Sequence, residues 1–491
     1  MSASAQKILL RGSASTVAGF AIRFGARALF LLIAGHLYGV ESYGAYSIAV
    51  AVVELAVAIA GLGSKRMIFK LLDERPEGRP ALHVVADSVL AVAGVGLSIA
   101  ALILLTLLVL PAGMVAAETR LALMLIAPMI AGQALLDLTL AATRWHQVMR
   151  YEVAGRSIVE PYAATAATFG AYLLGWTNVG LALGYWAGTL AALGFAGFGT
   201  LRLFAADRGA GYRPSGTRLA AMLRAAAWPT LSDGLNALSG RLDVFIVGFL
   251  LGQSPAGIYA MARQIRVPVR QVRQSFDGML TPLIARTLAS GGPVETGKAA
   301  ASVGRFILAI QLGILIALIA LGKPLLGSLG EGFAVGYWAM IILTVAEAIQ
   351  GAFGVSDLLF LYRRPMITVS ITAVTIVINF VAALLLVGPL GVIGAASAVL
   401  IANLAAILWR RIALQRMFGV RSGLGYNVGP LLAAAVAGAV AMLVVQAMGS
   451  GFGLAGNVAA AVAGLALYVA LLRGWMAAFS DRLSLAHLRT A

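Results

Sequence analysis

Runs of about 20 apolar residues recur along this chain from end to end, and each is long enough to carry an α-helix across a bilayer. Backbone amides and carbonyls inside a membrane must find partners within the protein, so such a chain folds as a bundle of helices. The alternating polarity of a transmembrane barrel does not occur in it. With 61% hydrophobic and 11% charged residues among 491, no soluble domain of useful size is left over. The expected fold class is an all-α polytopic membrane protein.

Hydropathy places fourteen spans at approximately 14 to 38, 43 to 63, 83 to 110, 121 to 143, 157 to 176, 179 to 203, 226 to 251, 256 to 281, 305 to 322, 335 to 361, 366 to 388, 391 to 409, 428 to 448 and 454 to 472. The first lies behind Lys7 and Arg11, contains Arg23 and Arg27, and is followed by no convincing cleavage site. It reads as a retained helix and not as a signal peptide.

A net charge of +17 would ordinarily raise nucleic acid as a partner, but basic residues in a polytopic chain first report topology. With both termini on the cytoplasmic side, 27 of the 36 basic residues fall in cytoplasmic segments, and only Arg120 and Lys323 fall outside. That bias predicts this orientation and accounts for the positive charge without a nucleic-acid partner. The eighth span is so rich in arginine that hydropathy alone would discard it. Without it, every later basic loop would lie on the wrong side.

The chain also repeats itself. "GHLYGVESYGAYSIA" from Gly35 aligns without gaps on "GFLLGQSPAGIYAMA" from Gly248, pairing Gly39 with Gly252, Gly44 with Gly257 and Tyr46 with Tyr259 at an offset of 213. "NVGLALG" from Asn178 echoes "PLGVIGA" from Pro389 at nearly the same offset. Six spans separate the copies, so the halves run in the same direction, an arrangement used by transporters. The expected division is an N-terminal lobe at 1–224, a C-terminal lobe at 225–425 and an accessory segment at 426–491 with two spans and a cytoplasmic tail.

Seven arginines remain inside spans: Arg23, Arg27, Arg241, Arg263, Arg266, Arg270 and Arg273. On one continuous helix the last four fall within an arc of about 80°, with Asp277 inside it. A guanidinium at mid-bilayer costs about 2.5 to 3.5 kcal/mol even on the lenient insertion scale, so the four are expected to line water or meet anions. A surface-lying amphipathic helix, a voltage sensor and end-snorkelling compete with that reading. Internal pairing looks weak, because Asp277 can neutralise only one neighbour. Arg23 and Arg27 share one face of the first span, with Glu54 as a structural partner for one of them. Asp233 or Asn236 is the expected partner of Arg241.

Among the acids in spans, Asp137, Glu160 and Asp357 lie near cytoplasmic ends and are expected to meet loop arginines, while Asp233 and Asp243 lie on the seventh span. Glu54, Glu347 and Asp277 are candidates for ion coupling, since arginine stays ionised and any protonation switch must be a carboxylate. The four histidines show no metal-ligand spacing, there is no cysteine, and no nucleophile elbow or phosphate loop appears, so no catalytic residue, metal or cofactor is expected.

The stretches "LFLLIAGHLYGVESYGAYSIAVAVVELAVAIAGLG", "RLDVFIVGFLLGQSPAGIYAMARQI", "GKPLLGSLGEGFAVGYWAMIIL" and "NFVAALLLVGPLGVIGAASAVLIANL" resemble segments of bacterial polysaccharide, O-antigen-type, flippases of the multidrug/oligosaccharidyl-lipid/polysaccharide exporter superfamily. The resemblance runs through spans one to twelve. It implies two six-helix lobes around a central cavity that opens alternately to either side. It also implies translocation of undecaprenyl-diphosphate-linked oligosaccharide to the periplasmic leaflet, beside a polymerase and export machinery. Cavities of the family carry basic residues on the first and eighth helices, which here are Arg23 and Arg27, and Arg263, Arg266, Arg270 and Arg273. A peptidoglycan-precursor flippase or a drug/cation antiporter would share the fold. A membrane polysaccharide polymerase would be an enzyme of another class, and would usually need a large outer loop that this chain lacks.

Overall fold

The computed structural model describes residues 3–111, 113–207, 209, 211–290, 292–357, 360, 365–418, 425–448 and 453–478, with most side chains from residue 24 onward. All regular structure in these residues is helical. The first element, α1 (Ala3–Ala60), holds two expected spans in 58 residues. At 1.5 Å per residue that is about 87 Å, nearly three hydrocarbon thicknesses, so two crossings require a bend. Gly39 supplies it at φ 77° and ψ 178°, backbone angles that a Cβ would oppose. Its repeat mate Gly252, at φ 89°, separates α9 (Gly216–Leu251) from α10 (Gln253–Ile265). The repeat in sequence is thus a repeat in backbone conformation.

Between these, α2 (Ser64–Asp73) leads into α3 (Ala81–Val109), and α4 (Ala117–Ile126) meets α5 (Met129–Trp145) at a 44° bend. The short α6 (Arg150–Ala154) passes through one π-helical turn, Gly155–Val159, into α7 (Glu160–Leu173), and α8 (Gly180–Leu203) follows. After α10 come α11 (Val267–Ser290), α12 (Gly292–Ser328) and α13 (Tyr337–Phe353). The long α14 (Pro365–Phe418) bends at Gly391, and α15 (Gly425–Met448) and α16 (Gly453–Ala478) complete the order.

Most expected spans fall on one of these helices or an arm of one, but 121 to 143 is divided between α4 and α5, 157 to 176 begins in the π-helical turn before α7, 256 to 281 is divided between α10 and α11, and 335 to 361 extends beyond α13. Among the described residues, nine helices are long and apolar enough to cross a membrane, or up to ten with the bent α4–α5 pair. Two of the nine, Phe24–Asp73 and Met366–Met417, run 50 and 52 residues, each enough for two crossings at about 20 residues per span. On α3, Leu102, Leu105 and Leu108 are 59 to 69% exposed, the surface expected of a helix solvated by lipid.

The chain packs as two compact units, Met1–Arg241 with Gly252–Gly257, and Leu242–Leu251 with Ile258–Ala491. In the first, Val53 and Val57 of α1, Ile68 and Leu72 of α2, Val84 and Val92 of α3 and Ile130 and Leu138 of α5 share one buried core. In the second, α12 is the central packing element, with Ile307 beside Leu280 and Ile284 of α11, and Ala320 beside Ala460 and Ala461 of α16. The accessory pair α15 and α16 therefore lies against α12.

Candidate functional site

The arginine stretch is not one helix. The last residue of α10 is Ile265, Arg266 forms a turn, and α11 begins at Val267. The break places Pro268 in the first turn of α11, where its missing amide hydrogen costs nothing and its ring meets no helical carbonyl four residues back. The single 80° arc is corrected accordingly: Arg263 sits on α10, Arg266 at the joint, and Arg270 and Arg273 on α11. Buried Gln311 of α12 donates from Nε2 to the Val269 carbonyl at 2.8 Å just past the break.

Two carboxylates from neighbouring helices meet these arginines. Arg270 donates from Nε and Nη2 to Oε1 and Oε2 of Glu347 on α13, both at 2.9 Å. Arg266 Nη1 lies 3.6 Å from Glu347 Oε2. Arg263 Nε lies 3.4 Å from Asp243 Oδ2 on α9, which also accepts the Tyr259 hydroxyl at 2.8 Å. Arg273 reaches the Gly354 carbonyl with Nη2 at 3.5 Å. The expectation of weak internal pairing is overturned, because it considered only Asp277 on the same helix. Glu347 is 77 residues from Arg270 in sequence, and no local pattern announces the pair.

Among the described side chains of this cluster, three guanidinium groups meet two carboxylates, an excess of one positive charge. Burial is uneven: Arg266, Asp243 and Glu347 are all under 9% exposed, while the Arg270 side chain is 45% exposed. An excess charge in a partly open site is what an anion can use. At the repeat-equivalent positions of the first unit, 213 residues earlier, stand Val50, Val53, Val57 and Ala60. They pack in or against the core of that unit.

The remaining candidates lie in the first unit or outside the described side chains. Arg241 forms an ion pair with Glu54 of α1. This corrects the expected partner: Asp233 is eight residues away on the same helix, about 12 Å along its axis, and pairs instead with Arg66 at 3.0 Å. Arg27 is half-buried on α1, and the side chains of Arg23 and Asp277 lie outside the described residues.

As expected, the peripheral acids meet basic partners. Arg156, in the π-helical turn, joins Asp137 and Glu160, the latter at 2.8 Å, and Lys65 reaches Asp137 at 3.0 Å. Asp357 accepts two bonds from Arg410 at 2.7 and 3.0 Å. Glu54 and Glu347, candidates for ion coupling, both stand opposite guanidinium groups. The π-helical turn had no legible signal in the sequence, whereas the break at Arg266 was announced by Pro268. Among the described residues no group of three metal-ligating side chains is found.

The chain matches the model of a family described as polysaccharide biosynthesis protein over residues 9–288. No curated protein matches it. Among solved structures, the lipid II flippase MurJ in its inward closed conformation superposes with a TM-score of 0.75 at 13% identity, covering 94% of this chain and 99% of that one. An inward-facing multidrug resistance MATE family transporter of the MOP superfamily gives 0.64 at 16% identity, covering 81% and 99%. The MATE multidrug transporter DinF-BH gives 0.57 at 16%, covering 81% and 93%. The family match spans more than half of the chain and the superpositions give its architecture: the chain belongs to the polysaccharide biosynthesis protein family and has the polytopic helical fold of MOP-superfamily flippases and transporters.

Proposed function

We propose that the protein is a flippase that carries undecaprenyl-diphosphate-linked oligosaccharide repeat units from the cytoplasmic to the periplasmic leaflet of a bacterial inner membrane, for exopolysaccharide, capsule or O-antigen assembly. The observation that carries this reading is the net-cationic cluster at the α10–α11 break, held inside a membrane bundle with Arg270 half-exposed. A guanidinium presents paired donors that match phosphate oxygens, which suits a diphosphate and gives a cation no foothold. Arg23, Arg27, Arg241, Arg263 and Arg273 are the further candidate contacts for the anionic headgroup, while the prenyl tail stays in lipid.

Transport proceeds by alternating access. Moving an anion outward from a negative-inside cell is downhill by about 2.3 kcal/mol per charge per 100 mV, and the same field favours inward return of an empty cationic site. Ion coupling through Glu54, Glu347 or Asp277 is secondary to that drive.

The test is deletion of the protein followed by analysis of lipid-linked oligosaccharides and surface polysaccharide. Accumulation of repeat units in the inner leaflet with loss of surface glycan is the expected result. Accumulation of translocated single units would instead indicate a polymerase. Complementation by Arg266→Ala/Arg270→Ala at normal protein level would sink the cationic-site mechanism. The superposition on the lipid II flippase favours one second reading, a peptidoglycan precursor as cargo. Under that reading, depletion causes lysis and build-up of the precursor, with surface glycan initially intact.

A further inference from the structure

Glu347 is a charged group in a membrane bundle that carries no cargo of its own, and its geometry gives it a task. Its two oxygens take the Nε and Nη2 edge of Arg270 at 2.9 Å each, the two-point fork that fixes a guanidinium in its plane. Glu347 itself is 8% exposed, and its carboxylate is also faced by Arg266 at 3.6 Å, itself 5% exposed. It is therefore anchored from behind, on a helix whose neighbours Met340, Leu343, Ala346 and Ala348 are fully buried. Arg270 is anchored on one edge only. Its Nη1 has no protein acceptor among the described residues, and 45% of the side chain is exposed.

We infer that Glu347 is a positioning residue: it holds the Nε–Nη2 edge of Arg270 so that the Nη1 edge faces the diphosphate of the lipid-linked substrate. This inference rests on the flippase reading given above. An arginine tethered by four flexible torsions loses much of its rotamer freedom when it grips a ligand, and a buried carboxylate that fixes it beforehand removes that loss. The same carboxylate cancels one of the two charges it faces. The site is thus left with one positive charge for phosphate where the two guanidinium groups alone would present two. Lysine at 270 would keep the charge but could not bridge carboxylate and phosphate in one plane.

The experiment uses the full-length protein in detergent micelles, titrated with undecaprenyl diphosphate, undecaprenyl monophosphate and undecaprenol, with binding read by native mass spectrometry. The unaltered protein is expected to prefer the diphosphate over the monophosphate by at least tenfold. Glu347→Gln and Arg270→Lys should each reduce that preference to under threefold, and the double variant should lose no more than either alone, since both act on one contact. If Glu347→Gln does not accumulate, Glu347→Asp carries the same comparison: it keeps the charge but is too short for the two-point grip. A variant at Glu347 that retains the full preference, or losses that multiply in the double variant, would overturn the positioning role while leaving the flippase reading intact. Equal binding of all three lipids by the unaltered protein would overturn both.

Discussion

Gly44 and Gly257, equivalent residues of the two repeat copies, lie backbone against backbone. A Cβ placed on Gly44 would sit 3.1 Å from the Gly257 nitrogen and 2.0 Å from the Gln253 carbonyl oxygen. One placed on Gly257 would sit 2.3 Å from the Val40 carbonyl oxygen. Neither contact can relax by moving a flexible side chain, because the obstructing atoms are main chain. Gly44→Ala or Gly257→Ala should therefore destabilise the protein by about 1 to 3 kcal/mol, as overpacking does. Gly25→Ala, where a Cβ meets nothing, should be silent. Thermal unfolding of the three variants in detergent compares them directly.

The ion pair of Glu54 with Arg241 ties α1 to α9 inside the membrane, with the two side chains 40% and 25% exposed. Removing one partner strands the other, but the exposure lets water recover part of the cost, so Glu54→Ala or Arg241→Ala should cost about 1 to 2 kcal/mol. The exchange Glu54→Arg/Arg241→Glu should regain at least half of what the single changes lose. A double-mutant cycle on melting temperature checks this. Additive losses would show that the pair contributes nothing as a pair.

Asp87 of α3, 5% exposed, ties down the segment that joins α8 to α9. It accepts the Tyr212 hydroxyl at 2.7 Å and Arg218 Nε at 2.9 Å, and Arg79 as well. Asp87→Asn should loosen the segment and speed tryptic cleavage at Arg213 several-fold, visible by gel before any change in helical content. Burial, and then the bond to Asp87, push the Tyr212 phenol up from 10.0 to about 12. A raised folded-state value means that the contribution is complete below pH 10 and is lost as the pH rises towards 12. Protection from cleavage by an alkali-tolerant protease should fall across that window in the unaltered protein. Tyr212→Phe should remove this part of the pH dependence.

The membrane bundle and its repeated kink could be read from sequence because both leave local marks: apolar runs of fixed length, and glycines whose backbone angles no other residue adopts easily. Gly39 and Gly252 are the clearest case, since the matched pair marks the same kink twice. The arginines could be found, but their surroundings could not. Glu347 reaches Arg270 from 77 residues away, Asp243 reaches Arg263 from the preceding helix, and the pairing of Glu54 with Arg241 spans 187 positions. Helical periodicity fixes which residues share a face but not which face a distant helix presents. The broken eighth span was half-legible: Pro268 marks it, but a single regular arc takes no account of the proline.

The valines that stand where the second copy has arginines give the duplication a physical meaning. A single bundle that must hold itself together cannot easily exchange Val53 and Val57, packed in its core, for guanidinium groups. Two fused copies can. One holds an apolar stripe within its core, while the other carries charge at the matching positions and meets it with carboxylates. At matching positions the two copies thus do different jobs: Val53, Val57 and Ala60 pack a core, and Arg266, Arg270 and Arg273 present charge.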